Sequence, residues 1–309
     1  MSYTNKKFEE LNVIDDFLMN AVATDETVGV PFCRALLSVL LQRKIGKIKV
    51  IPQRTIPALT PKMRGIRLDV EVEEYQGETD INLPPANMYD IEPNLRKNLN
   101  LPKHNRFYQA KIDSRRLKSG EKDFAKLPNL YVISITDFDP FGQDYMVYTF
   151  KNQCVEIPEL PYGDGLQFIY FYTGGNKGGN EVIKAMLNYI QDSTEKNATN
   201  SIIKEIHKYV ECVRIQPEVK EEYMTLEDII YYEREEERIG IQQDNILELL
   251  EEYGEIKDTL KQCVKEEMNF SVLTAWLKLA AKVKTISAFE QKMKEVKETA
   301  LNNRREITE

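Results

Sequence analysis

Two short segments, RLDVEVEEY (67–75) and NMYDIEPN (87–94), constrain this chain more than any others. Read as strands, each alternates acids with apolar residues. In the first, Arg67, Asp69, Glu71 and Glu73 share one face, and Leu68, Val70 and Val72 the other. In the second, Asp90, Glu92 and Asn94 alternate with Tyr89, Ile91 and Pro93. Paired with each other, such strands bring two rows of carboxylates together. Opposed like charges on neighbouring strands cost up to about 1 kcal/mol per pair. Either water solvates that face, the common case, or cations neutralise it.

The charge distribution favours cations. The chain of 309 residues carries a formal net charge of −8. From residue 218 onward there are 22 acids and 14 bases, whereas residues 1–217 hold 28 of each. The acidity therefore belongs to the C-terminal third. Thr27 to Leu68 contains no Asp or Glu, but it does contain Arg34, Arg43, Lys44, Lys47, Lys49, Arg54, Lys62, Arg64 and Arg67. A basic approach to an acidic strand suits a polyanionic substrate. The plainer alternative is a solvated basic face with its counter-charges elsewhere.

The remaining pattern predicts an α/β fold, a mixed sheet flanked by helices. VIDDFLMNAVA reads as a short helix, and FCRALLSVLLQRKIG as a helix that stops at Gly46. KIKVIPQ is an edge strand, and Pro93 is expected to end its strand or to mark an edge or bulge. LPKHNRFYQAKIDSRRLKSG reads as a basic helix, LPNLYVISITDFD as a buried strand, and YMVYTFKN and LQFIYFYT as further strands. TGGNKGGN (173–180) lacks the spacing of a nucleotide-binding loop and reads as a connector before the helix EVIKAMLNYIQD.

Beyond Pro217 the composition turns to Glu, Lys and Leu. Ile246, Leu249, Tyr253, Ile256, Leu260 and Cys263 form one heptad-like seam. Val272, Trp276, Leu279, Val283, Ile286, Phe289 and Met293 form a second. Two such helices would make a hairpin or a homodimer surface, or would dock on the preceding domain. The domains expected are thus residues 1–217 and an acidic helical region, 218–309.

Four scattered cysteines with no CxxC pair argue against a structural zinc site and for a reducing compartment. No run of about 18 apolar residues predicts a membrane span. The N-terminal segment lacks the apolar centre of a secretory signal. A cytoplasmic protein is the expectation.

LDVEVEEY, YDIEPN, RFYQAKID and YVISITDFDPF together resemble the PD-(D/E)XK nuclease superfamily, in particular its bacterial transposase-like branch of recombination-promoting nucleases. The resemblance runs from about Leu11 to Tyr172 and is most specific over 64–138. It implies a restriction-endonuclease-like mixed sheet that cuts DNA with Mg²⁺ or Mn²⁺. Asp69 matches the first metal-binding acid and Glu92 the second. Asn94 falls where the superfamily has lysine and this branch often has glutamine. It can position water by hydrogen bonds, but it carries no positive charge. Asp16 resembles the acid of the first motif, as a third metal ligand. Tyr108 and Gln109 resemble residues that line the cleft, and Leu68 stands where the motif's name has proline. Arg67, Arg106, Lys111 and Arg115 are the expected phosphate contacts. The resemblance does not reach the C-terminal region.

Overall fold

The computed structural model describes residues 6–51, 55–56, 66–67, 70–76, 84–95, 97–117 and 122–305. The chain divides into two compact units, Met1–Tyr223 and Met224–Glu309.

The first unit is built around a six-stranded open sheet. Its strands are β1 (Lys47–Ile51), β4 (Val70–Tyr75), β5 (Asn87–Asn94), β6 (Asn129–Thr136), β7 (Val147–Phe150) and β8 (Leu166–Tyr172). The spatial order is β1-β4-β5-β6-β8-β7. The pairs β1–β4, β4–β5 and β7–β8 are antiparallel, and β5–β6 and β6–β8 are parallel. The parallel crossover from β5 to β6 carries α3 (Leu101–Arg116), as parallel neighbours require a long connection. The fold is therefore α/β with a mixed sheet.

Side-chain alternation gives each sheet face its own layer. Val70, Val72, Tyr89, Ile91, Ile133, Ile135, Ile169 and Phe171 join one large core. Against them lie α1 (Asp16–Thr24), α2 (Gly29–Leu40), α4 (Glu181–Gln191) and α5 (Ser201–Arg214). The other face holds a smaller core of Met88, Leu130 and Val132, closed by Ile112 of α3.

Two local expectations are corrected. The helix α2 ends at Leu40, well before Gly46. Gln42 takes the left-handed turn, with φ 51°, that closes it. Gly46 acts elsewhere: its N–H donates to Glu74 Oε1 at 2.7 Å. Of the segment 67–75, Leu68 and Asp69 lie outside the described residues. Arg67 pairs with Thr55, in a separate two-stranded sheet of β2 (Thr55–Ile56) and β3 (Ile66–Arg67). Among the described residues β1 pairs with β4 as far as Ile51, opposite Glu71. Pro93 does not end β5 or mark an edge. It sits inside a central strand, opposite Ile135 of β6.

The second unit is helical. It contains most of α6 (Pro217–Glu251), then α7 (Asp258–Glu266), α8 (Phe270–Ala280) and α9 (Ile286–Arg305). Each expected seam is interrupted by a turn, so the two long helices become four segments. Gly254, at φ 131°, lies in the break between α6 and α7. Ile246, Leu250, Ile256, Leu260, Val264, Val272, Trp276, Phe289 and Met293 share one core. Most of the seam residues thus fold onto one another. Tyr253 and Cys263 instead remain exposed.

Candidate functional site

The face beneath α3 carries the acids. Along β4, Glu71 and Glu73 point to it, and along β5, Met88, Asp90 and Glu92 do. Glu71 and Asp90 stand directly opposite each other and are fully buried, and Glu73 and Glu92 are each 6% exposed. The carboxylate rows inferred from sequence therefore exist on described strands, and they are not solvated.

Buried carboxylates require partners. Arg116 supplies two contacts from the last turn of α3: Nη2 to Glu71 Oε1 at 2.8 Å, and Nη1 to Glu73 Oε1 at 2.6 Å. Arg115 places Nη2 3.5 Å from Glu71 Oε2. The Tyr75 hydroxyl donates to Glu73 Oε2 at 2.6 Å. Burial pushes the Glu73 carboxyl up, but the Tyr75 and Arg116 hydrogen bonds and the Arg116 charge outweigh it, and its pKa is lowered. Higher along α3, the buried Asn105 amide donates to Ser134 Oγ of β6 at 2.9 Å. α3 is thus pinned to the sheet at both ends by polar contacts.

The expected site residues distribute as follows. Asp69 lies outside the described residues. Glu92 lies on the acidic face, and Asn94 closes the same strand with its amide donating to the Glu92 carbonyl at 2.9 Å. That bond leaves the Asn94 side-chain oxygen as an acceptor. Asp16 opens α1, in the layer on the opposite face of the sheet. Its neighbour Asp15 is the buried one, bonded by Lys6 Nζ at 2.8 Å and by the Asn12 N–H at 2.7 Å. Arg67 contributes backbone to the separate small sheet.

The expected α3 residues play different parts. Arg106 is exposed. Tyr108 packs against the small core and against the His104 ring, with centroids 4.2 Å apart. Gln109 donates to Asp113 on the next turn. Lys111 lies over the Phe107 ring at 5.6 Å. Arg115 faces inward, toward Glu71. Arg116, Tyr75, Asn105 and Ser134 were not among the expected site residues. The doubled arginine at the helix end was their legible signal, since two cations there match two alternating acids on a strand.

A Mg²⁺ or Mn²⁺ ion prefers hard oxygen donors, and Glu92 presents one on this face. Among the described residues, no three acids, thiols or imidazoles are gathered to hold a metal ion.

A cavity of about 880 Å³ lies at the other end of β5. Lys44, Glu74, Tyr75, Asn87, Lys126 and Asn129 are among its lining residues. Glu74 is bound there by Arg43, Gly46, Asn87 and Tyr89. The cavity therefore does not open on Glu92 and Asn94, which are near the far end of the strand.

Fold and site together define an α/β protein with a mixed open sheet and a buried acidic face beneath a basic helix. No protein-family model, curated protein or solved structure matches the chain.

Proposed function

We propose that the first unit is a metal-dependent DNA endonuclease of the PD-(D/E)XK type, with Asp69 and Glu92 as the cation's ligands. One observation carries this reading: a row of buried carboxylates on two paired strands, covered by a helix whose outer side is basic. A divalent cation would supply a Lewis acid for the scissile phosphate. Asn94, at the end of the same strand, would orient water through its free amide oxygen. Arg106 and Lys111 would contact the DNA backbone, making binding fall steeply with salt. Arg115 contributes inside the site, where its charge is directed at Glu71.

The test is cleavage of supercoiled plasmid by the full chain with Mg²⁺ or Mn²⁺. The expected result is nicking or linearisation that the double substitution Asp69→Asn, Glu92→Gln abolishes. Cleavage that persists in the double variant overturns the assignment.

A second reading has its own support. Asn94 donates an amide proton to the Glu92 carbonyl and has no charge to replace a lysine. On this reading the chain keeps a nuclease-type sheet with a weakened site and acts as a DNA- or protein-binding module through its C-terminal helical region. Calorimetry with no Mn²⁺ uptake, together with DNA binding that ignores metal, would favour it. Transposition or recombination is the role that the resemblance attaches to the first reading. DNA is the proposed partner in the first reading, and DNA or a protein in the second.

A further inference from the structure

Arg116 ends α3 and turns back under it. One guanidinium spans two carboxylates that lie two positions apart on one strand face, Glu71 at 2.8 Å and Glu73 at 2.6 Å. Each nitrogen of the fork takes a different acid. Glu73 is held a second time, by the Tyr75 hydroxyl at 2.6 Å. Across the ladder from Glu71 stands Asp90, and Glu92 follows two positions later on the same face. Two opposed carboxylates at full burial repel each other strongly, because little solvent screens them. Arg115 and Arg116 of α3 bring cations to the β4 acids at this point.

We propose that Arg116 is a positioning residue of the acidic face. By clamping Glu71 and Glu73 it fixes β4 against α3, and through the β4–β5 ladder it sets where Asp90 and Glu92 point. It touches no substrate. The shape of the contact requires arginine: a lysine ammonium is a point charge and cannot bridge both carboxylates with the same rigid fork. The functional half of the proposal rests on reading Glu92 as a metal ligand. The structural half does not.

The experiment compares the full-length wild type with Arg116→Lys, which keeps the charge and removes the fork. Two readouts are taken well below the melting temperature: Mn²⁺ binding by calorimetry, and hydrogen exchange across residues 87–94. A residue that orients ligands from behind is worth about 10- to 100-fold in metal affinity. The lysine variant is expected to lose Mn²⁺ affinity by that factor and to exchange faster in 87–94, with exchange in 270–280 unchanged. Unchanged exchange in 87–94 overturns the positioning role. Faster exchange with wild-type Mn²⁺ affinity overturns its connection to the metal. Tighter Mn²⁺ binding also overturns the proposal, since Arg116 would then be competing with the cation.

If the wild type itself binds no Mn²⁺, the nuclease reading fails, and the exchange result alone decides whether Arg116 positions the strand. Should Arg116→Lys not fold, Tyr75→Phe removes only the second tether on Glu73. It is expected to raise exchange in 87–94 to a smaller extent, and no change would overturn the proposal.

Discussion

At the scale of single residues, this protein is organised by where it buries carboxylates. Glu71, Glu73, Asp90 and Glu92 are buried on one face, and Glu74, one position on from Glu73, is buried on the other. Glu74 has donors from four residues, Arg43, Gly46, Asn87 and Tyr89. Burial pushes its carboxyl up, but Arg43, the Gly46 N–H, Tyr89 and Asn87 together bring it down to about 2. A carboxyl depressed in the folded state stabilises the fold above its ordinary pKa, near 4.5, and that stability is lost as pH falls toward 2. Glu74→Gln should therefore cost about 1–2 kcal/mol at neutral pH, allowing for the half-exposed Arg43. The difference from wild type should shrink between pH 4.5 and 2. Urea denaturation across that range measures it, and a difference independent of pH would refute the ion pair. Tyr89, which donates to this carboxylate, has its own pKa raised by burial and by Glu74.

At the scale of elements, close approaches decide which residues can be exchanged. α1 and α2 are joined by a four-residue turn that Asp25 holds, its Oδ1 accepting from the Thr27 and Val28 N–H groups at 2.8 and 2.9 Å. At Gly29, the first residue of α2, a Cβ would lie 2.2 Å from the Ala23 carbonyl oxygen. Backbone cannot yield as a side chain can. Gly29→Ala should cost about 1–3 kcal/mol through overpacking, although alanine is the better helix former. A higher melting temperature in that variant would show that the turn gives way. The same element-scale logic explains why sequence reading placed the end of α2 wrongly. Glycine is the usual stop, yet Gln42 adopts φ 51° with its amide donating to the Val39 carbonyl and its side-chain oxygen accepting from Asn180. Those bonds are partly tertiary, so no local pattern announces them.

At the scale of the whole molecule, two compact units have separate cores. Trp276, the chain's one tryptophan, is 2% exposed in the second core, where its indole N–H donates to the Met293 carbonyl at 2.9 Å. Its fluorescence therefore reports on the second unit. Leu36→Ala, in the first core, should cost about 2–5 kcal/mol there while leaving the tryptophan midpoint in place. Far-UV circular dichroism and fluorescence should then give different midpoints, whereas coincident shifts would mean that the units unfold together. The second unit also bears on self-association. Its seams are used internally, so a homodimer built on these helices would have to use surfaces outside that core.

Alternation of acids with valines on 70–73, and of acids with Tyr89 and Ile91 on 87–92, was enough to define two strands and the faces they share. The helical periods of α2, α3 and α4 were legible for the same reason: each element buries one side, and burial leaves its period in the sequence. What the acids meet was not legible. Opposed carboxylates on a solvated face and on a buried one have the same local sequence. Only the crossover from β5 to β6 lays α3 over that face, and only then do Arg115 and Arg116, more than forty residues from Glu71, become its counter-charges. The helical seams gave up their apolar residues but not their breaks, because a turn that folds α8 back on α9 is stabilised by contacts between the two helices rather than within either one. Periodicity is local and survives in sequence, while charge compensation and chain reversal depend on neighbours that the fold alone supplies.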